Sequence, residues 1–111
     1  MKENAISKEI EITINNRVKT FNEKYLPKNA VGHCIANVKG KFIYIHYFYP
    51  KNKRLDPVGR LTYNGDLDDM PFAIFKYSSE SYSFNEFFPG QEHLNGTIEG
   101  ALKAVLKAYE I

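Results

Sequence analysis

The spacing of apolar residues changes twice along the chain, from helical to alternating and back to helical. Near the N-terminus, apolar side chains recur every three or four residues and so share one side of a helix predicted over residues 7–25. Pro27 is expected to end that helix. The alternation of Ile10, Ile12 and Ile14 would also suit a short strand, so the first two turns have a competing interpretation.

The middle of the chain alternates apolar and polar residues, with Gly, Pro, Asn and Asp between the runs. This pattern is typical of an antiparallel meander of four to five strands. The strands are expected over 31–38, 41–49, 58–64 and 72–77, with a fifth around 82–84. Pro50 and Pro57 are expected to bracket a polar connection between the second strand and the third.

A second helical pattern closes the chain. Asn95, Gly96 and Thr97 form a helix start signal, and the apolar residues behind it recur at helical spacing. They are Ile98, Ala101, Leu102, Val105, Leu106 and Tyr109. The order helix, meander, helix predicts an α+β fold in one domain spanning residues 1–111, in which both helices can pack on one sheet face.

Cysteine content and hydropathy bear on the compartment. Cys34 is the only cysteine, which excludes an intramolecular disulfide framework and a zinc site built from several thiolates. The first residues are charged and carry no secretory signal, and the longest apolar run, 42–49, is too short to span a bilayer as a helix. We therefore expect a cytoplasmic protein with no membrane partner.

Charge is distributed unevenly, although the net charge is only +2. Residues 17–60 contain ten Lys and Arg against two acids, whereas residues 61–99 contain seven acids and one lysine. Such a dipolar surface can steer an oppositely charged partner or orient two copies of the chain, and it can equally reflect two solvated faces.

Several segments between Gly59 and Tyr109 suggest a relationship to other proteins. They are GRLTYNGD, AIFKYS, FFPG and GTIEGALKA, and together they span about half of the chain. In these segments the chain resembles a family of small prokaryotic proteins of unknown function. Because that family has no assigned activity, the resemblance implies a small prokaryotic domain and assigns no functional residue.

The strand over 41–49 and the loop after it form the main candidate binding surface. Alternation places Tyr44, His46 and Phe48, together with Phe42, on one face, and Ile43, Ile45, Tyr47 and Tyr49 on the other. The cations Lys51, Lys53, Arg54 and Arg60 follow. Aromatic rings beside cations are typical of single-strand nucleic-acid binders, although a core strand that ends in a solvated loop has the same pattern. Two apolar faces also indicate a partner for the face that the helices leave free, such as a second copy of the chain.

Thiol catalysis and a histidine metal site receive little support. His33 and Cys34 are neighbours on a strand and so point to opposite faces. A two-residue turn at Lys39 and Gly40 would set His33 opposite His46 on one face, where the two could share a metal ion. The sequence favours a three-residue loop that pairs Asn37 with Lys41 and separates the histidines onto opposite faces.

Acidic residues and one histidine give a second candidate region. Asp66, Asp68 and Asp69 follow Asn64 and Gly65, but the spacing does not match a calcium-binding EF-hand loop. An Asx-type turn explains them more simply. His93 lies just before the predicted C-terminal helix, where an anion could bind.

These patterns favour a small binding or interaction module that uses the aromatic sheet face and the basic loop, with no cofactor or metal ion. Its candidate partners are a second copy of the chain, another protein or nucleic acid. One alternative is a small enzyme with an open cleft near residues 60–69 and His93. The other is a structural subunit of a larger complex.

Overall fold

The computed structural model describes residues 5–84 and 87–109. The chain runs through helix α1 (Lys8–Tyr25), strands β1 (His33–Lys39), β2 (Phe42–Tyr49), β3 (Arg54–Thr62), β4 (Phe72–Lys76) and β5 (Ser81–Ser83), a 3-10 turn (Gln91–His93) and helix α2 (Ile98–Ala108). The five strands form one antiparallel sheet in the order β1-β2-β3-β4-β5. The predicted α+β fold is confirmed.

Both helices begin at side-chain caps. The Ser7 hydroxyl accepts a hydrogen bond from the Ile10 amide of α1, and the Thr97 hydroxyl accepts one from the Gly100 amide of α2. The apolar side of α1 that the sequence predicts is buried at Ile14, Val18 and Phe21. Neither helix in the described part of the chain is both long enough and apolar enough to cross a membrane.

The core lies between the two helices and one face of the sheet. Ile43, Ile45 and Tyr47 of β2 are each no more than 1% exposed and belong to the same buried cluster as the apolar residues of both helices. Alternation along the strand sends the residues between them to the opposite face, where they stay partly exposed. The helices therefore cover the Ile43 face and leave the other face open.

The predicted register of the first hairpin is wrong. The turn consists of Gly40 and Lys41, so Lys39 pairs with Phe42 and His33 pairs with Phe48. Gly40 has a φ of +61° at the first central position of the turn, as a type II′ turn requires, and no lysine has to adopt a positive φ there. In this register His33 and His46 share one face, with His46 opposite Ile35.

Strand β3 begins earlier than predicted, at Arg54, and includes Pro57. The pairing with β2 shifts between Ile45 and His46, because Ile45 pairs with Gly59 whereas His46 pairs with Pro57. The bulge interrupts the hydrogen-bond ladder between the two strands near Pro57, which has no N–H to donate. Pro57 can therefore lie inside β3, although the sequence predicted that the strand begins after it.

The free edge of β1 is partly closed by a side chain from α1. The Asn22 amide donates to the Cys34 carbonyl at 2.9 Å and accepts from the Cys34 amide at 3.0 Å. One side chain thus makes the two hydrogen bonds that a neighbouring strand would make at this residue. This contact fixes α1 to the sheet and blocks part of an edge that could pair with another chain.

Candidate functional site

The open face of the sheet is the surface opposite the helices that carries Phe42, Tyr44, His46 and Phe48. None of these four side chains belongs to the core cluster, and all four are half-buried. Cross-strand pairing places Arg60 beside Tyr44 on this face and Ile35 beside His46. The sequence predicted this set of aromatic residues on one face, and the structure confirms that they share it.

Arg60 lies at the centre of the open face, between aromatic rings. Its guanidinium carbon is 4.7 Å from the centroid of the Phe42 ring, 5.0 Å from that of Tyr82 and 5.6 Å from that of Phe84. All three distances lie within the range of cation–π attraction. We call Arg60 and these three rings the Arg60 cluster.

The guanidinium of Arg60 is incompletely satisfied by the protein. Its Nε atom is buried without a hydrogen-bond partner. No carboxylate of residues 5–84 or 87–109 forms an ion pair with Arg60, in contrast to Arg17 and Arg54. The three rings hold the guanidinium in place, but an aromatic ring does not accept a conventional hydrogen bond from its N–H groups. Because Nε is buried, an anionic group would instead bind the two terminal nitrogens of the guanidinium, which form no hydrogen bond within the described residues.

The aromatic residues of the open face also pack on one another. Ring centroids are 5.9 Å apart for Phe42 and Tyr44, 5.6 Å for Tyr44 and Tyr82, and 5.1 Å for Tyr82 and Phe75. This chain of rings crosses the sheet from β2 to β5, and Ala73, which pairs with Arg60 on the same face, is fully buried. The contacts restrict the rings in advance of any binding, which lowers the entropy lost when a flat ligand stacks on them.

The open face carries positive charge with little negative charge to balance it. Asp56 is the only acidic residue within the five described strands. It pairs across the sheet with Tyr47, on the helix side, and accepts a hydrogen bond from Arg54 Nε at 3.1 Å. Lys39 pairs with Phe42, and Lys41 Nζ lies 5.6 Å from the centroid of the Phe42 ring. The face therefore suits a negatively charged partner.

Burial changes the titration of two groups on this face. Loss of solvent lowers the pKa of His46, and the Tyr44 backbone only partly opposes that change. Burial also raises the pKa of the Tyr82 phenol, with a further increase from Tyr44 and an opposing effect of Arg60. Near neutral pH, His46 is therefore uncharged and Tyr82 keeps its proton, so the fixed positive charge at the centre of the face comes from Arg60.

The predicted basic loop lies at one end of the sheet, away from Arg60. Lys51 and Lys53 are exposed in the turn between β2 and β3, whereas Arg54 opens β3 and lies 4.2 Å from the centroid of the Tyr49 ring. Arg54 is thus engaged by Tyr49 and Asp56. The structure brings Arg60 and Tyr44 together, with His46 and Phe48 farther along the same face toward Lys51 and Lys53.

The sequence did not single out Tyr82, Phe84 or Phe75 as site residues. They reach the open face because β4 and β5 extend the sheet beyond β3, with Phe75 paired to Tyr82. Their alternation within short strands was a visible signal, but only the strand order shows that Tyr82 and Phe84 flank Arg60.

The acidic residues of the second candidate region have structural contacts. Asp66 Oδ1 accepts a hydrogen bond from the Asp68 amide at 2.9 Å, an Asx turn. Asp68 and Glu99 both pair with Arg17, at 3.3 Å and 2.7 Å, and the hydrogen bond from Arg17 lowers the pKa of Glu99. Asp69 is exposed. These ion pairs fasten the 66–69 loop and the start of α2 to α1.

His93 stands apart from those aspartates. Its Nε2 lies 3.9 Å from Glu92 Oε2, and the same carboxylate oxygen pairs with Lys107 at 2.7 Å. Within residues 5–84 and 87–109, neither a hydrogen bond nor an ion pair joins His93 to Asp66, Asp68 or Asp69. Within the part of the chain that the structure describes, no three His, Cys, Asp or Glu residues are grouped as metal ligands.

Cys34 is a buried thiol in β1. Burial raises its pKa to about 12, so the thiolate form is suppressed at neutral pH. A cysteine in this state is a poor nucleophile, and its side chain contributes to the core.

Comparison of the chain with family models, with curated proteins and with solved structures found no match. The resemblance to a family of small prokaryotic proteins stays a prediction from the segments between Gly59 and Tyr109.

Proposed function

We propose that this chain is a binding module that holds single-stranded nucleic acid on the open face of its sheet. The observation that carries the proposal is the Arg60 cluster, a guanidinium held among three rings with no carboxylate partner in the described chain. A phosphate supplies the anion that this guanidinium lacks, and the neighbouring bases supply flat surfaces for the rings.

The arrangement along β2 supports this ligand class. Lys39 and Lys41 lie at one end of the open face, Arg60 lies near its centre, and Lys51 and Lys53 lie beyond the other end. Tyr44 and Phe48 are half-buried rings between these cations, and Phe84 is 47% exposed. A flexible polyanion with stackable bases matches this alternation of charges and rings.

A second copy of the chain fits the open face less well. In a two-fold symmetric dimer the same surface meets itself, so the cations of one copy would face those of the other. Within the described strands, no carboxylate lies on this face to pair with those cations, because Asp56 belongs to the helix side. Burying unpaired cations is costly. Self-association through this face is therefore an outcome that would count against the nucleic-acid proposal.

The test is an Arg60→Met substitution measured by fluorescence anisotropy. Mixed-sequence single-stranded RNA and DNA of about ten nucleotides, titrated at low salt, serve as probes. A charged hydrogen bond contributes about 1.5–3 kcal/mol, so R60M should weaken binding by at least about tenfold. Affinity of the unchanged protein should fall steeply as salt rises, because bound phosphates release counterions.

Lys103→Met is the matched control. Lys103 Nζ lies 4.6 Å from the centroid of the Tyr25 ring, so it is also a cation stacked on an aromatic ring, but it belongs to the helical layer. Removing its charge should change affinity by less than about twofold, the range of a remote surface charge. Equal losses in R60M and K103M, or no binding by the unchanged protein tighter than millimolar, would contradict the proposal.

A further inference from the structure

A cavity of about 170 Å³ lies between the β3–β4 part of the sheet and the start of α2, on the helix side of the sheet. The cavity is partly open to solvent, so a small molecule can reach it from outside. Its lining includes the apolar residues Leu61, Met70, Phe72, Ile74, Phe88 and Ala101, but polar groups provide more of the accessible surface inside it than apolar groups do.

The cavity separates two parts of the hydrophobic core. Leu61, Met70 and Ala101 belong to the main cluster, which joins both helices to the sheet. Ile74 and Phe88 form a smaller cluster with Ala104 of α2. Because residues of both clusters line the cavity, a molecule inside it would contact both and join them.

The wall also has polar atoms that favour a particular ligand chemistry. Ser83, Gln91 and Thr97 contribute to the lining. The Thr97 hydroxyl is already used, since it accepts from the Gly100 amide and bonds to the Asn95 side chain. The side-chain amide of Gln91 has no hydrogen-bond partner within the described residues, and it can both donate and accept.

We propose that this cavity is a binding site for a small flat molecule, a monocyclic aromatic compound with one hydroxyl group, such as a phenol. The volume is sufficient, because a cavity of about 150 Å³ accommodates benzene, and the polar part of the lining favours a ligand that also carries a hydroxyl group. The ring of the ligand contacts the apolar wall, and its hydroxyl hydrogen-bonds to the Gln91 amide. The proposal is independent of nucleic-acid binding, because none of the lining residues belongs to the Arg60 cluster.

The test titrates phenol and benzene, each at millimolar concentration, into protein labelled with ¹⁵N and follows the amide signals by NMR. Phenol should shift the amides of Met70, Ile74 and Ala101 and bind about two- to tenfold more tightly than benzene, the usual effect of one added neutral hydrogen bond. An Ala101→Leu substitution fills the cavity from α2 and should abolish the shifts. Lys103→Leu, which adds a leucine on the side of the same helix that faces Tyr25 of α1, should keep them.

Two further measurements make the result decisive. Gln91→Leu should equalise the affinities for phenol and benzene while leaving the fold intact, because the site keeps its shape and loses its polar contact. Leu94→Phe replaces Ala101→Leu as the filling variant if the latter does not fold, since Leu94 also lines the cavity. The proposal is overturned if neither probe shifts the lining amides, if phenol binds a folded filling variant unchanged, or if benzene binds as tightly as phenol.

Discussion

Replacing Leu102 with alanine is expected to lower the free energy of unfolding by about 2–5 kcal/mol. Leu102 is fully buried in α2 and belongs to the core cluster that includes Ile43 and Ile45 of β2. The substitution removes apolar contacts and leaves a cavity beneath the helix, because the surrounding side chains collapse only partly. Urea denaturation followed by circular dichroism measures the change.

Leu106→Ala is the control for the loss at Leu102. Leu106 lies one turn farther along α2 and is half-buried, so its truncation should cost clearly less than that of Leu102. The urea dependence of the unfolding free energy should stay the same in both variants. A change at Leu102 below about 0.5 kcal/mol, the range of ordinary surface substitutions, would place α2 outside the core and contradict the fold.

Asn22→Ala should lower the free energy of unfolding by about 1–3 kcal/mol, the usual effect of leaving buried backbone groups without partners. Asn22 makes two hydrogen bonds to the backbone of Cys34, which is only 2% exposed. Alanine keeps α1 helical but supplies neither bond. The variant should also aggregate more readily, because it frees part of the β1 edge.

Asn16→Ala is the matched control, an exposed asparagine on the same helix. Its effect should stay within about 0.5 kcal/mol. Equal stability of the Asn22 and Asn16 variants in urea denaturation would show that the Asn22 contact does not hold α1 to the sheet.

Local patterns were sufficient to predict the helices and the two faces of β2. Helical spacing depends on neighbouring residues within one segment, and the caps at Ser7 and Thr97 are local as well. Strand alternation likewise separated Tyr44 from Ile43 without knowledge of the partner strands. Which face the helices cover follows only from the assembled core.

Register and strand limits were harder to predict. The first hairpin depends on whether Gly40 ends a three-residue loop or begins a two-residue turn, and both are consistent with a glycine of positive φ. The bulge at Ile45 and His46 admits Pro57 into β3, which sequence rules for proline in strands disfavour. In both cases pairing with another strand decides the outcome.

The candidate site was predicted in part. Tyr44 and Arg60 were both singled out, but the sequence grouped Arg60 with Lys51 and Lys53, whereas the structure places it among rings from β2 and the β5 region. Those contacts join residues that are far apart in the chain. The role of Asp68 was likewise hidden, because its partner Arg17 lies in α1, 51 residues earlier in the chain.

The most direct test of the central claim maps the nucleic-acid contact on the protein itself. Protein labelled with ¹⁵N is titrated with a single-stranded oligonucleotide of about ten nucleotides, and amide and arginine side-chain signals are followed by NMR. We expect the largest shifts at Tyr44, Arg60 and Tyr82, with a changed Nε–H signal of Arg60 and little change at the exposed residues of α1. Shifts confined to the two helices, or none at the Arg60 cluster at saturating oligonucleotide, would contradict the assignment of the open face as the binding surface.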